Sequence, residues 1–186
     1  MFTPISESET EIISFWFSAR AQALWFNSDP AFDAEIRTQF EEIYQQAKAG
    51  ALDAWRSDAQ GALALCILLD QFPLNMYRGL AASFATEAMA REVAKSAIDA
   101  GLDQAIGTDK RAFFYLPFMH SEHLNDQNYS VNLFERAGMT EGLHYAKHHR
   151  EIIRRFGRFP HRNAILKRAS TEQELAYLAS PEAFKG

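Results

Sequence analysis

At 186 residues, with 47% hydrophobic and 13% aromatic content, the chain is long enough to bury roughly 70% of its unfolded surface as one domain spanning residues 1–186. That apolar load excludes a disordered chain, and a net charge of −5 gives no global attraction to nucleic acid or to an anionic membrane surface. The single cysteine, Cys66, excludes an internal disulfide, and no basic-then-apolar leader opens the chain, so a cytoplasmic protein is expected.

Helical signals follow one another along the chain. Ser8-Glu9-Thr10-Glu11 reads as a capping box opening a helix with Ile12, Phe15 and Trp16 on one face. Asp29-Pro30 predicts a second start, followed by Phe32, Ile36, Phe40, Ile43 and Ala47 at helical spacing and a stop at Gly50. Ser57 is placed to cap a third helix from Asp58 to about Gln71, apolar nearly all round and so expected at the centre, with Pro73 ending it. Its longest apolar run, Ala62 to Leu69, is far short of the ~20 residues of a membrane helix, and Cys66 within it reads as a small core residue. Thr86 is placed to cap a fourth helix ended by Gly101. Thr108 is placed to cap a fifth, which Pro117 is expected to kink or break. A sixth runs from Asn125 to Ala137 before Gly138, and a seventh from Thr140 to Phe156 before Gly157. Pro160 to Arg168 offers a short helical turn, and Thr171-Glu172-Gln173-Glu174 is a capping box opening a last helix to about Leu178.

No alternating β-branched run and no hairpin dipeptide interrupts this pattern. The expected fold is all-α: a single-domain stack of roughly seven to nine antiparallel helices.

Three segments carry candidate chemistry. Asp70 and Gln71 close the apolar third helix, where the macrodipole disfavours a carboxylate, so Asp70 is expected to meet a cation; Asn75 fits an Asx turn. His120, Glu122, His123, Asp126 and Gln127 follow Pro117. Were that stretch helical, His120, His123 and Gln127 would share one face, suited to acid–base work or to locking a kinked helix. His148 to Asn163 packs five arginines and three histidines among Ile152, Ile153, Phe156 and Phe159. Tyr145, His149, Ile152, Ile153 and Phe156 fall on one helical face, with His144 and His148 on a wetter one. Arg158 and Arg162 have the planar guanidinium groups that suit carboxylate or phosphate, or an internal lattice with Asp70, Glu122 or Asp126.

The spacing matches no zinc signature, and there is no phosphate loop, dinucleotide fingerprint or Gly-x-Ser-x-Gly elbow. No metal and no cofactor is therefore assigned.

At these segments the chain resembles a mainly bacterial family, the domain of unknown function numbered nine hundred and twenty-four. The resemblance is carried by Phe15-Trp16-Phe17, Leu68 through Asn75, Tyr115 through Glu122, Asp126-Gln127, and His149 through Asn163, in order over roughly residues 8 to 178. It implies an all-helical fold similar to tetratricopeptide-repeat proteins and no established reaction. In that family's pattern Leu74 is commonly Arg, His123 commonly acidic and Lys167 commonly Gly, which argues against essential roles for those three residues here.

The function expected from these residues is binding, with or without transformation, of a small anionic metabolite. Arg158 and Arg162 would grip the anion, and His149 and His161 would exchange protons. Asp70, Glu122 and Asp126 would orient the basic groups, with Asn75, Gln127 and Asn163 adding hydrogen bonds. A tetratricopeptide-like module holding a peptide carboxylate is the first alternative. A metal-dependent hydrolase using His120, Glu122, His149 and His161 is the second. A homodimer is compatible with the aromatic load but not required by it.

Overall fold

The computed structural model describes residues 5–25 and 27–185. Among these residues every regular element is helical. They form two compact units: one runs to Arg78 and takes in Ala82–Pro117, and the other comprises Gly79–Ala81 with Phe118 onward.

In the first unit, α1 (Ile5–Trp16) begins a turn before the Ser8 capping box, which therefore lies inside the helix. Ile5, Ser6 and Glu7 include no helix breaker, so the helix propagates past the box. The short α2 (Ala19–Gln22) follows, capped by the Ser18 hydroxyl. α3 (Pro30–Lys48) starts as its sequence predicts, with the Asp29 carboxylate accepting from the Phe32 N–H at 2.8 Å. α4 (Ala59–Cys66) is capped by Asp58, not Ser57: the Asp58 carboxylate takes the N–H groups of both Gln60 and Gly61. α4 packs against α1 and against α6 (Glu87–Asp99), and every residue from Gly61 to Pro73 is buried. Glycine at 61 is required by proximity, because a Cβ there would lie 2.3 Å from the Trp55 carbonyl oxygen.

Pro73 does not end this helix. A wide π turn, Ile67–Gln71, follows α4, with the Phe72 N–H donating five residues back to Ile67 O. The chain then continues as α5 (Phe72–Met76). Pro73 lacks the N–H that would reach Leu69 O, and the Thr86 hydroxyl donates to that carbonyl instead, at 2.6 Å. Thr86 therefore makes no side-chain cap for α6. Around this segment Trp16 lies 5.5 Å from Phe72 and 6.0 Å from Phe113, ring centre to ring centre, and 0% exposed. Cys66 is also 0% exposed, and burial pushes its thiol pKa well up, as befits a core residue.

α7 (Thr108–Met119) runs through Pro117 unbroken, because the proline falls in its last turn. It carries the chain into the second unit. There α8 (Leu124–Arg136) packs against α9 (Thr140–Phe156), and α10 (Glu172–Leu178) against the short turn Pro160–Arg162. Gly157 closes α9 in the left-handed conformation, φ 72°. Both halves of the Thr171–Glu174 capping box form.

Among the described residues Lys167 is the non-glycine residue with positive φ, at 55°. A β-carbon is strained there, which accounts physically for the glycine that the family resemblance places at this position. Lys167→Gly is expected to raise stability by about 0.5–1 kcal/mol, the relief of left-handed strain less the added chain entropy of glycine. Urea denaturation checks this, and an unchanged or lowered midpoint would count against strain at Lys167.

Candidate functional site

His120, Glu122, Asp126, Gln127, His149, Arg158, His161, Arg162 and Asn163 all lie in the second unit, whereas Asp70 and Asn75 lie in the first. Asp70 and Gln71 sit in the π turn and not at a helix end, and the Gln71 amide donates to the Asp70 carboxylate. Asn75 is helical and makes no Asx turn; its amide donates to Gln71 O and its carbonyl accepts from Arg78.

In the second unit the residues after α7 are not helical, so the shared face of His120, His123 and Gln127 does not form. His123 instead stands at the N-cap of α8. Gln127 is 0% exposed, and its amide donates to Met119 O at 2.6 Å and Ser121 O at 2.7 Å. It satisfies carbonyls that the end of α7 leaves open. Ser121 donates to Asp126 at 2.6 Å. Together these bonds fix the turn that carries His120 and Glu122.

Glu122 meets Arg168, a residue the sequence reading passed over. Arg168 donates two hydrogen bonds to the carboxylate, at 2.6 and 2.9 Å. The Phe159 N–H donates to the same carboxylate at 2.8 Å, and Arg168 also donates to Phe159 O at 3.2 Å. Both polar groups of the Phe159 peptide are thus clasped. Burial works to raise the Glu122 pKa, but the Arg168 hydrogen bonds, the Phe159 N–H and the Arg168 and Arg162 charges outweigh it and hold the carboxyl below its usual range. Asn163, 1% exposed, extends the brace by accepting from Arg168 and donating to Ser170.

Arg158 is engaged elsewhere. It grips the buried Glu174 through two hydrogen bonds, at 2.6 and 2.9 Å, and donates to Ala169 O. Glu174 is the capping-box residue of α10, and chiefly through its hydrogen bond to Arg158 its pKa falls to about 2. Turning Arg158 toward a ligand would break that tie.

What gathers above Phe159 is a set of imidazoles. The Phe159 ring centre lies 5.6 Å from His149 and 5.5 Å from His161, and the Arg162 guanidinium stacks over it at 4.8 Å. Arg162 also donates to His120 O at 3.0 Å. Tyr145, placed by periodicity on the apolar face, is exposed; its carbonyl is what reaches His149 Nδ1, at 2.9 Å. A carbonyl only accepts, so Nδ1 carries the proton and Nε2 presents a lone pair. Among the described residues no hydrogen-bond partner reaches Nε2.

Burial lowers the His149 pKa to about 3; the Tyr145 carbonyl opposes this, and His120, His148 and His161 reinforce it. His161 falls to about 4 through burial, then the Arg162 charge, with Glu122 opposing and Arg168 and His120 adding. Both rings are neutral at pH 7. Imidazoles with such low pKa values are poorly matched to proton shuttling near neutrality. Among the described residues no group of three His, Cys, Asp or Glu side chains is placed to hold a metal ion, and no helix is long and apolar enough to cross a membrane.

A concavity of about 230 Å³ lies in the first unit, lined by Thr10, Ser14, Gln60, Leu63, Ile106 and Lys110 among others. It includes none of the candidate site residues named from sequence.

These two folded pKa values lie below that of an unfolded histidine, so the unfolded state takes up protons first. Stability from this pair is therefore full above about pH 6.5 and is lost as pH falls toward 4 and 3. One unit below 6.5 the loss is about 1.4 kcal/mol per histidine. Urea denaturation at pH 7.5 and 5.5 should show a drop of about 2–3 kcal/mol in the wild type. The drop should be largely absent in His149→Gln/His161→Gln; a pH-independent wild type would contradict neutral burial.

The model of a family of bacterial proteins of unknown function, designated DUF924, matches residues 12–182. Among solved structures the chain is similar to a protein of unknown function from Agrobacterium tumefaciens, at 42% identity and a TM-score of 0.90 over 95% of this chain and 99% of that one. No curated protein matches the chain. With a family match across nearly its whole length, the chain belongs to the DUF924 family of bacterial proteins of unknown function.

Proposed function

We propose that the second unit binds a small anionic molecule beside its histidine cluster. The observation that carries this reading is geometric: the Arg162 guanidinium stacks at 4.8 Å over the Phe159 ring against which His149 and His161 also sit, and Arg168, held by Glu122, clasps the Phe159 backbone. An anion entering such a partly buried, arginine-bearing site gains more than it would at a screened surface. Arg162 supplies charge, and its stacking on Phe159 fixes the plane of its donors. His161 supplies a neutral hydrogen bond, and Glu122 with Arg168 holds Phe159 in place. Arg158, tied to Glu174, has no part in this reading. The low histidine pKa values favour holding a ligand over exchanging protons with it.

Native mass spectrometry after incubation with a millimolar mixture of small carboxylates and phosphate esters tests the assignment. An adduct is expected in the wild type and in Arg158→Gln, and its loss in Arg162→Gln. An adduct that survives Arg162→Gln, or a wild type that stays bare, would count against it.

A further inference from the structure

Three histidines adjoin one phenyl ring. Phe184 lies 4.5 Å from His149, 5.0 Å from His161 and 6.4 Å from His148, ring centre to ring centre. It belongs to a non-helical strap, residues 181–185, that follows α10. Phe184 and Ala183 pack on the cluster of Ile152, Ile153, Phe159 and Tyr177. The polar attachments of the strap are few. Among the described residues its backbone makes two hydrogen bonds: the Ala183 N–H donates to Ser180 O at 3.2 Å, and the Phe184 N–H to the Tyr177 hydroxyl at 2.9 Å. Apolar contact therefore does most of the holding, and a terminal segment held in this way opens locally at less cost than the helices beneath it.

Closure of the strap and charging of these rings oppose each other. His149 is 5% exposed and already spends its Nδ1 proton on the Tyr145 carbonyl, so a second proton enters a ring flanked by Phe159 and Phe184. An imidazolium needs water or a carboxylate around it, and burial denies it the water. The charged and titratable groups that face the two rings are His148 from α9, His120 and Glu122 from the turn after α7, Arg162 next to His161, and Arg168 from the loop beyond. Of these Glu122 alone is a carboxylate, and Arg168 already holds it. On the strap itself Glu182 and Lys185 are exposed.

We infer that residues 181–185 form an acid-released latch: proton uptake by His149 and His161 detaches Phe184 while the helices of the second unit stay folded. Burial sets the sign. The closed state holds the two rings at about 3 and about 4, and release returns them to water, near the ordinary 6.5. The latch is therefore shut above about pH 6.5 and loosens as pH falls below it, toward 4 and 3. One unit below 6.5 each ring favours the open state about tenfold, and the pair about a hundredfold. Opening uncovers the imidazoles and the core cluster under Phe184, whether or not an anion binds beside them.

Native-state amide exchange of the full chain at about pH 7.5 and 5.5 reads the latch directly, because the Phe184 N–H is its tie to α10. Corrected for intrinsic rates, protection at Phe184 should fall about a hundredfold between the two conditions. It should be insensitive to low urea, as a local opening is, whereas amides in the middle of α9 such as Ala146 stay better protected and urea-sensitive. His161→Gln should leave a fall of about tenfold, and His149→Gln/His161→Gln almost none. The double variant alters buried rings and its fold is at risk, so histidine-ring NMR titration of Phe184→Ala is the second arm. Uncovering should move both titrations up toward the ordinary histidine value. Phe184 exchanging only in step with α9, a fall of full size in His161→Gln, or titrations unmoved in Phe184→Ala overturns the inference.

Discussion

The second unit depends on one clasp. Glu122 takes the Phe159 N–H, and Arg168 bridges Glu122 to the Phe159 carbonyl. Charge-assisted hydrogen bonds of this kind contribute on the order of 1.5–3 kcal/mol each when desolvated groups would otherwise be left open. The clasp joins the turn after α7 to the loop after α9, residues far apart in sequence. It also fixes the backbone that bears the Phe159 ring, against which His149, His161 and Arg162 sit. Loss of either charged partner would leave the other half-buried and would free the platform on which the imidazoles sit.

Neutrality of the histidines follows from where that platform places them. Their environment combines aromatic rings with positive charge, and both disfavour an imidazolium. The same combination underlies the proposed anion site and matches poorly with moving protons at neutral pH.

What was legible in the sequence was local. Asp29-Pro30, Gly157 and the Thr171–Glu174 box act within a turn of their own helix, and each formed as its residues predict. What was not legible was settled by partners distant in sequence. Pro73 reads as a stop, yet a π turn and the Thr86 hydroxyl supply what it lacks. Arg158 reads as a ligand contact, yet Glu174 takes it. The residue types of the site, His149, His161 and Arg162, stood out as polar groups set among aromatics. Arg168 carried no local signal, because its role arises only when loops meet. Lys167 is the reverse case: the family pattern marked it as unusual, and its positive φ supplies the reason.

The whole reading turns on the state of one ring. Long-range proton–nitrogen NMR of ¹⁵N-histidine-labelled protein at pH 7 reports which nitrogen of His149 carries the proton. A neutral ring protonated at Nδ1 and unchanged down to about pH 5 fits a buried imidazole held by the Tyr145 carbonyl. A doubly protonated ring would contradict the burial argument, and a neutral ring with its proton on Nε2 would contradict the hydrogen bond to Tyr145.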